Sequence, residues 1–555
     1  MNKIKSLNNF FFDKSFSKSF FWVASVIFFA SIFFRIPTFF VDYYDVDELS
    51  AIVQAKEYLA GGVPEVDFVE SKMPLYHLIF KAAYKCSYDY GWVVVHIIAA
   101  FIVFFTSLFI MLTVKEISNL QNGFCAGILY AVLISSFNRH FMAVNGEIVY
   151  NLPVIASFYF FILSIKSHKL FRKIIFMLAA SFVGFAAVMI KFHGLIIFIF
   201  YITYFFLYLP YLKIKHFKKF FYFIAILLFG MLLIIIVDYF TVKIIADFIK
   251  LHIKDKLFYA FLARSFRYEI FFGKLFHRQG LLAVWHFVVW IPVSIYIYHF
   301  IRNRFIANEK SESALALFFI MSYLLIFAGG TRLYFHYYMT AYPALCAIVP
   351  SVINKGDNRL LIFIREKFII LLIIPGLFFF SWNMKDAVIR NFAPQCFWNE
   401  GSALYWTRAV LTGHFNDYLL PEKSYAKVTE YINHNTLPDD RIFVWGNGAY
   451  IYYFSGRLMG TQTLWPQNRI LKIEKMYKKN IPDAKARGEW MERFFFLQYV
   501  EKKQPVMFID MSENALAKPT MFDSKIENLP LLNSYFMNNY VLETIVDNAK
   551  IYRKK

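Results

Sequence analysis

Charge is scarce in this chain. Of 555 residues only 17% are Asp, Glu, Lys or Arg, against about 25% in soluble domains, which excludes a water-facing surface over most of its length. Cysteine is scarcer still, with four residues in all. No Cys-x-x-Cys or Cys/His spacing suggests a structural zinc. Cys125 and Cys346 lie inside apolar runs and read as small hydrophobes. Cys86 and Cys396 would both face an oxidising exterior, where they are in a position to pair. Internal repeats and low-complexity linkers are absent. Acidic residues number 38 against 59 basic ones, a net charge of +21.

What fills the chain instead is apolar: 59% hydrophobic and 21% aromatic. A bilayer core needs about 20 apolar residues per helix. Runs of that kind predict eleven spans, near 20–38, 91–114, 123–137, 148–165, 174–190, 193–209, 220–237, 281–300, 313–328, 337–353 and 367–383. The basic surplus sits between spans, in "KSHKLFRK" (166–173), "KIKHFKK" (213–219), "RNR" (302–304) and the stretch Lys355–Lys367. These clusters fall on alternate loops, as the positive-inside rule requires. With Lys3, Lys5, Lys14 and Lys18 they place the N-terminus in the cytoplasm. Positive charge therefore orients the chain in a membrane, and a nucleic-acid partner is not expected. The first apolar run is long and lacks a small-residue cleavage site, so no cleavable leader is expected.

From about Asn399 the composition becomes that of a soluble domain. An odd number of spans puts it outside. "RIFVWG" (441–446) and "PVMFID" (505–510) predict buried strands, "KARGEWMERFFFLQYVEKK" an amphipathic helix, and "YVLETIVDNAKIYRK" a terminal hairpin. The expected organisation is a polytopic α-helical membrane domain over 1–398, with an external loop at 39–90, and an external α/β domain over 399–555.

Acids gather where the first span ends. "VDYYDVDELSAIVQAKEYLAGGVP" (41–64) holds Asp42, Asp45, Asp47 and Glu48, then an interfacial amphipathic helix closed by Gly61-Gly62. Helix capping accounts for one of these carboxylates. Glu147, in "FNRHFMAVNGEIVYNLP", stands at the external entrance of the fourth span. Basic groups face the same side: Lys72 in "ESKMPLYH", Lys191 and His193 in "IKFHG", Arg332 and His336 in "GGTRLYFHYY". Interfacial snorkelling explains a single basic residue. Ionisable groups at membrane depth are costly, and several on one face mark a functional site.

These residues carry a resemblance. "DVDELSAIVQAKEYLAGGVPEVDFVESKMPLYHLIF" resembles the first external loop of C-type glycosyltransferases, the superfamily of protein O-mannosyltransferases and lipid A aminoarabinose transferases. "NGE", "RLYFHYYMTAYPAL" and "RIFVWGNGAYIYYFSGR" follow in the family's order, so the likeness spans nearly the whole chain. It implies an enzyme that moves one sugar from a polyprenyl-phosphate donor to a lipid, glycan or protein acceptor on the outer side of a bacterial inner membrane. It also implies Asp47 as catalytic base, Glu48 as its neighbour and Glu147 as the second acid. Lys72 matches a lysine associated with the donor phosphate. Ser71-Lys72-Met73-Pro74 departs from the Glu-Lys-Pro-Pro of the aminoarabinose transferases, which weakens assignment of that sugar.

The chemistry needs these residue types. Inverting transfer requires a carboxylate to take the acceptor's proton and cations around the departing phosphate. Asp45, Lys191, Arg332, His336 and Tyr337 are the further substrate-binding candidates. Arg264 and Arg267 belong to the basic segment Asp238–Gly280, which reads either as a helix on anionic headgroups or as a loop over phosphate. No cofactor is required for such transfer; the alternative is a divalent ion held by Asp45 and Asp47. Rival readings are a transporter or flippase, whose polar residues would gather at the bilayer midplane, and an oligosaccharyltransferase using a pyrophosphate-linked glycan, whose "WWDYG"-like motif is absent. A polymerase or ligase of O-antigen type would leave the Asp-Glu motif unexplained.

Overall fold

In the computed structural model, the described residues are 16–63, 68, 73–135, 139–208, 310–326, 335–355, 359–392, 421–446, 448–464, 489, 492–512 and 526–555. The chain opens with helix α1 (Phe16–Arg35), ended by the Pro37-containing turn Ile36–Phe40. Then come α2 (Val46–Leu59), α3 (Pro74–Cys86), α4 (Gly91–Ile117), α5 (Leu120–Leu133), α6 (Gly146–Lys166), α7 (Leu170–Ile190) and α8 (Ile196–Tyr208). Further on lie α9 (Lys310–Leu324), α10 (Tyr342–Lys355) and α11 (Arg359–Phe392). Among the described residues, four stretches are long and apolar enough to cross a membrane, Ser19–Phe40, Gly91–Ile117, Gly146–Lys166 and Leu170–Ile190. Shorter apolar helices cover Leu120–Leu133, Phe192–Leu207, Ser311–Leu324 and Ile370–Lys385. The expected spans at 220–237 and 281–300 lie outside the described residues, as do Lys72, Arg264, Arg267, Arg332 and Cys396.

Small residues let the helices approach. At Gly123 on α5, a Cβ would come within 2.5 Å of the Met111 carbonyl on α4, so only glycine fits there. Farther along, Phe158 of α6 stacks on Phe318 of α9 at 4.3 Å between centroids. Such offset aromatic pairs add about 0.5–1.5 kcal/mol beyond their buried area.

Helix α2 departs from expectation. The sequence suggests an amphipathic helix lying at the interface, yet Glu48 through Ala55 are buried without a break. The helix packs on α3 on one side and on α13 (Gly448–Ser455), near the chain's C-terminal end, on another. A helix covered on several sides buries its polar residues too, and each then needs a partner. Its C-terminal end follows the Gly-Gly signal: Gly61 adopts φ +85°, and Gly62 N–H donates to the Glu57 carbonyl at 2.9 Å, as a left-handed cap does.

The C-terminal part carries α12 (Pro421–Asn435) and a five-stranded sheet in the order β2-β1-β3-β5-β4. Its strands are β1 (Arg441–Trp445), β2 (Leu458–Met459), β3 (Met507–Asp510), β4 (Tyr540–Val546) and β5 (Ala549–Lys554). Strand β1 runs parallel to β2 and β3, with Ile442 opposite Met507, while β5 is antiparallel to β3 and β4. The β4–β5 turn uses Asp547 and Asn548 at φ 47° and 61°, residues that tolerate the left-handed region. Of the amphipathic helix expected at 485–503, the described part is a wide turn at Arg493–Leu497 leading into α14 (Gln498–Lys503).

The sheet is tied to the loop below it. Arg441 at the start of β1 donates to Glu57 of α2 at 3.0 and 3.3 Å, and Met459 N–H on β2 donates to the same carboxylate. Nearby, the Tyr453 hydroxyl of α13 donates to Asp42 at 2.8 Å. The acid-rich segment 42–57 is therefore held by the C-terminal part of the chain as well as by α3.

Candidate active site

The first question is which acid caps α2. Asp45 is the N-cap: its backbone is extended, and its Oδ1 accepts from Glu48 N–H at 2.9 Å. That leaves Asp47 in the first helical turn, half-buried and not occupied in capping. Capping thus explains Asp45 and does not account for Asp47.

Glu48 is 1% exposed. Its Oε2 accepts from Tyr44 N–H at 2.7 Å and its Oε1 from Val144 N–H at 3.1 Å, with His96 Nε2 3.4 Å from Oε1. Burial, reinforced by Asp45, pushes its carboxyl up to about 8, against the pull of those backbone donors and Arg35. A group sealed this way spans two loops that lie 96 residues apart in sequence.

Arg35 completes the frame. Fully buried at the end of α1, it donates to the carbonyls of Phe141 at 3.0 Å and Met142 at 2.6 Å. Those residues belong to the short turn Arg139–Met142. From α3, the Tyr76 hydroxyl donates to the Val144 carbonyl at 2.8 Å. The Tyr76 phenol is raised well above its ordinary range by burial and by Asp47, Asp45, Glu48 and Glu147. All four carboxylates therefore bear electrostatically on one buried hydroxyl.

On the other wall, Asn145 caps α6 by accepting from Ile148 N–H at 3.4 Å. This puts Glu147 in the first turn, 0% exposed. Lys191, where α7 ends, forms an ion pair with Glu147 and lies 5.1 Å from the centre of the Tyr337 ring. His336 places Nε2 3.8 Å from the same Glu147 oxygen. Burial holds its imidazole down to about 4, opposed first by Glu147 and then by Asp47. Beside it the ring of His140 lies 6.0 Å away, centroid to centroid.

The structure thus brings together Asp45, Asp47, Glu48, Glu147, Lys191, His336 and Tyr337, contributed by segments separated in sequence. Sequence reasoning missed Arg35, His96 and His140. Arg35 carried a signal, a lone arginine ending an apolar run, and His140 lies in the quoted "FNRHFMAVNGE" segment. His96 sits within a predicted span and carried none.

No family model matches the sequence, and no curated protein matches it. Among solved structures, the aminoarabinose transferase ArnT from Cupriavidus metallidurans superposes with a TM-score of 0.54 in its apo form, at 11% identity over 96% of both chains. The same enzyme bound to undecaprenyl phosphate gives 0.54 at 12% identity, over 96% of this chain and 97% of that one. The apo oligosaccharyltransferase from Archaeoglobus fulgidus gives 0.51 at 12% identity, over 90% of this chain and 71% of that one. At such identities the likeness is one of fold: this is a helical membrane protein with the C-type glycosyltransferase fold.

Proposed function

We propose that this C-type fold serves an integral membrane glycosyltransferase, one that moves a single sugar from a polyprenyl-phosphate donor to a lipid, surface-glycan or protein acceptor. The observation that carries the reading is that half-buried Asp47 and the buried Glu147–Lys191 pair, from facing walls, act on the same buried His336 ring. A base and a fixed cation around one space are what transfer from a lipid phosphate needs. The fold adds support, since one ArnT structure holds undecaprenyl phosphate.

In the proposed step, Asp47 takes the proton of the acceptor hydroxyl. The acceptor oxygen attacks the anomeric carbon opposite the phosphate and forms the new glycosidic bond. The sugar–phosphate C–O bond breaks, its electron pair leaves with the polyprenyl phosphate, and configuration inverts. Lys191, held by Glu147 and backed by Tyr337, meets the charge that grows on the phosphate, with Lys72 and Arg332 assigned to the same task. His336, kept neutral by burial, offers a ring N–H or a lone pair rather than charge. Glu48 and Arg35 are positioning residues: sealed from the acceptor, they fix the loops that carry Asp47 and Glu147.

The proposed topology has eleven spans over 1–398, the N-terminus in the cytoplasm and residues 399–555 on the outer face of a bacterial inner membrane. Arg264 and Arg267 are assigned to donor or headgroup phosphate on that face.

A donor comparison tests the reading. Purified protein in lipid nanodiscs is given radiolabelled sugar on polyprenyl monophosphate, or an oligosaccharide on polyprenyl pyrophosphate, with delipidated envelope material as acceptor. Transfer from the monophosphate donor is expected. Transfer from the pyrophosphate glycan alone would turn the assignment to an oligosaccharyltransferase, and release from neither donor would remove the glycosyltransferase reading.

A further inference from the structure

Asp45, His140 and His336 come from three separate segments: the cap of α2, the Arg139–Met142 turn and the helical turn Phe335–Tyr338. One ligand-type atom from each lies within 4.8 Å of the other two. Asp45 and His336 are buried and His140 is one-fifth exposed. We infer that these three side chains bind a zinc-class divalent cation, leaving an open coordination position for a phosphate oxygen of the donor.

The geometry is that of ligands spread around a gap. Asp45 Oδ1 is committed to the helix cap, so Oδ2 faces His140 Nδ1 at 3.5 Å. That separation exceeds the 2.7–2.9 Å of a good carboxylate–imidazolium bond. Around a tetrahedral ion with bonds of about 2.0–2.2 Å, ligand atoms lie roughly 3.3–3.5 Å apart. Asp45 Oδ2 and His140 Nδ1 already have that spacing, and with all three atoms within 4.8 Å of one another a side-chain adjustment closes the set on one ion.

The donor set selects the metal. Two imidazoles with one carboxylate suit zinc and neighbouring transition metals, whereas magnesium and calcium favour all-oxygen sets. Three protein ligands leave a position vacant, the pattern of sites where zinc meets a substrate. Each ligand is also supported from behind. Asp45 is pinned by Glu48 N–H. The turn that carries His140 is held by Arg35, and His336 has a ring nitrogen 3.8 Å from Glu147. Carboxylates behind ligating histidines fix ring orientation and raise ligand basicity. The ion thus shifts from the sequence alternative, Asp45 with Asp47, to Asp45 with two histidines, and Asp47 keeps its role as base.

The phosphate contact rests on the glycosyltransferase reading; the ion site does not. The intact protein, purified in detergent and stripped with chelator, is titrated with zinc by calorimetry, and retained metal is then counted by mass spectrometry. One zinc per chain is expected, with affinity reduced at least tenfold in Asp45→Asn, which keeps a capping side chain, and in His140→Ala. Matching size-exclusion profiles and melting temperatures for the stripped variants exclude misfolding as the cause. Undecaprenyl phosphate is expected to bind the zinc-loaded protein more tightly than the stripped protein. Zinc retention equal in wild type and in the His140→Ala/His336→Ala double variant would overturn the site. Asp47-dependent transfer that survives full stripping would overturn the phosphate contact while leaving the glycosyltransferase reading in place. Zinc bound as expected, with no transfer from any lipid-phosphate donor, would overturn that reading and leave the ion site standing.

Discussion

Glu147 and Lys191 sit at facing ends of α6 and α7, and both are buried. Removing one member of a buried pair costs about 3–5 kcal/mol, because the survivor keeps its desolvation penalty. Lys191→Met is therefore expected to lower the melting temperature in detergent sharply. Adding Glu147→Gln removes the orphaned charge and should recover most of that loss, while transfer stays depressed because the phosphate lacks its cation. If the double variant regains both stability and transfer, the pair is structural only. At this scale the sequence revealed residue types and faces, and the pairings had to come from the fold. Glu48 was expected only as the neighbour of Asp47 in the Asp-Glu pair. Its partners in the fold are Tyr44, His96 and Val144, and a contact 96 positions away leaves no local trace. Arg35 is similar, since its partners lie 106 and 107 residues on.

Among the elements, α2 links the site to the sheet. Its C-terminal half ends in Glu57, 1% exposed and bound by Arg441 and by Met459 N–H. A hydrogen bond to a charged group contributes about 1.5–3 kcal/mol. Arg441→Ala is thus expected to destabilise the protein by about that amount and to slow transfer severalfold through misplacement of α2. Thermal unfolding and steady-state rates check this; wild-type behaviour in both would show that the clamp does not position Asp47. The strands were legible because β1, β3 and the β4–β5 hairpin carry short apolar runs and a turn signal in local sequence. Helix α2 was misread because its Ser50, Gln54 and Glu57 imitate a solvent-facing stripe. All three are buried, Glu57 against Arg441 and Met459 of the sheet, a cover that periodicity cannot register.

For the whole molecule, the order of apolar runs and basic clusters made the membrane class readable, since bilayer thickness and loop charge act on sequence directly. That the loop after α1, the entrance of α6, the end of α7 and the turn before α10 share one face was readable from the spacing of spans and charges, whereas the contacts between their side chains were not. The proposed topology has its own check. In a background lacking Cys86 and Cys396, Asp547→Cys in the exposed β4–β5 turn should react with a membrane-impermeant maleimide in intact cells or spheroplasts. His168→Cys, exposed between α6 and α7, should react only after permeabilisation. The reverse pattern would put the site on the cytoplasmic face.

The central claim is that Asp47 serves as the base of sugar transfer, and one comparison meets it directly: single-turnover transfer from a synthetic polyprenyl-phosphate sugar by wild type and by Asp47→Asn. Asparagine is nearly isosteric and cannot take the proton, and Asp45 rather than Asp47 caps the helix, so folding should be unchanged. Loss of a general base typically costs about 10²–10⁴-fold in rate. A drop of that size at unchanged melting temperature and donor affinity is the predicted result. Transfer by Asp47→Asn within about twofold of wild type would contradict the account.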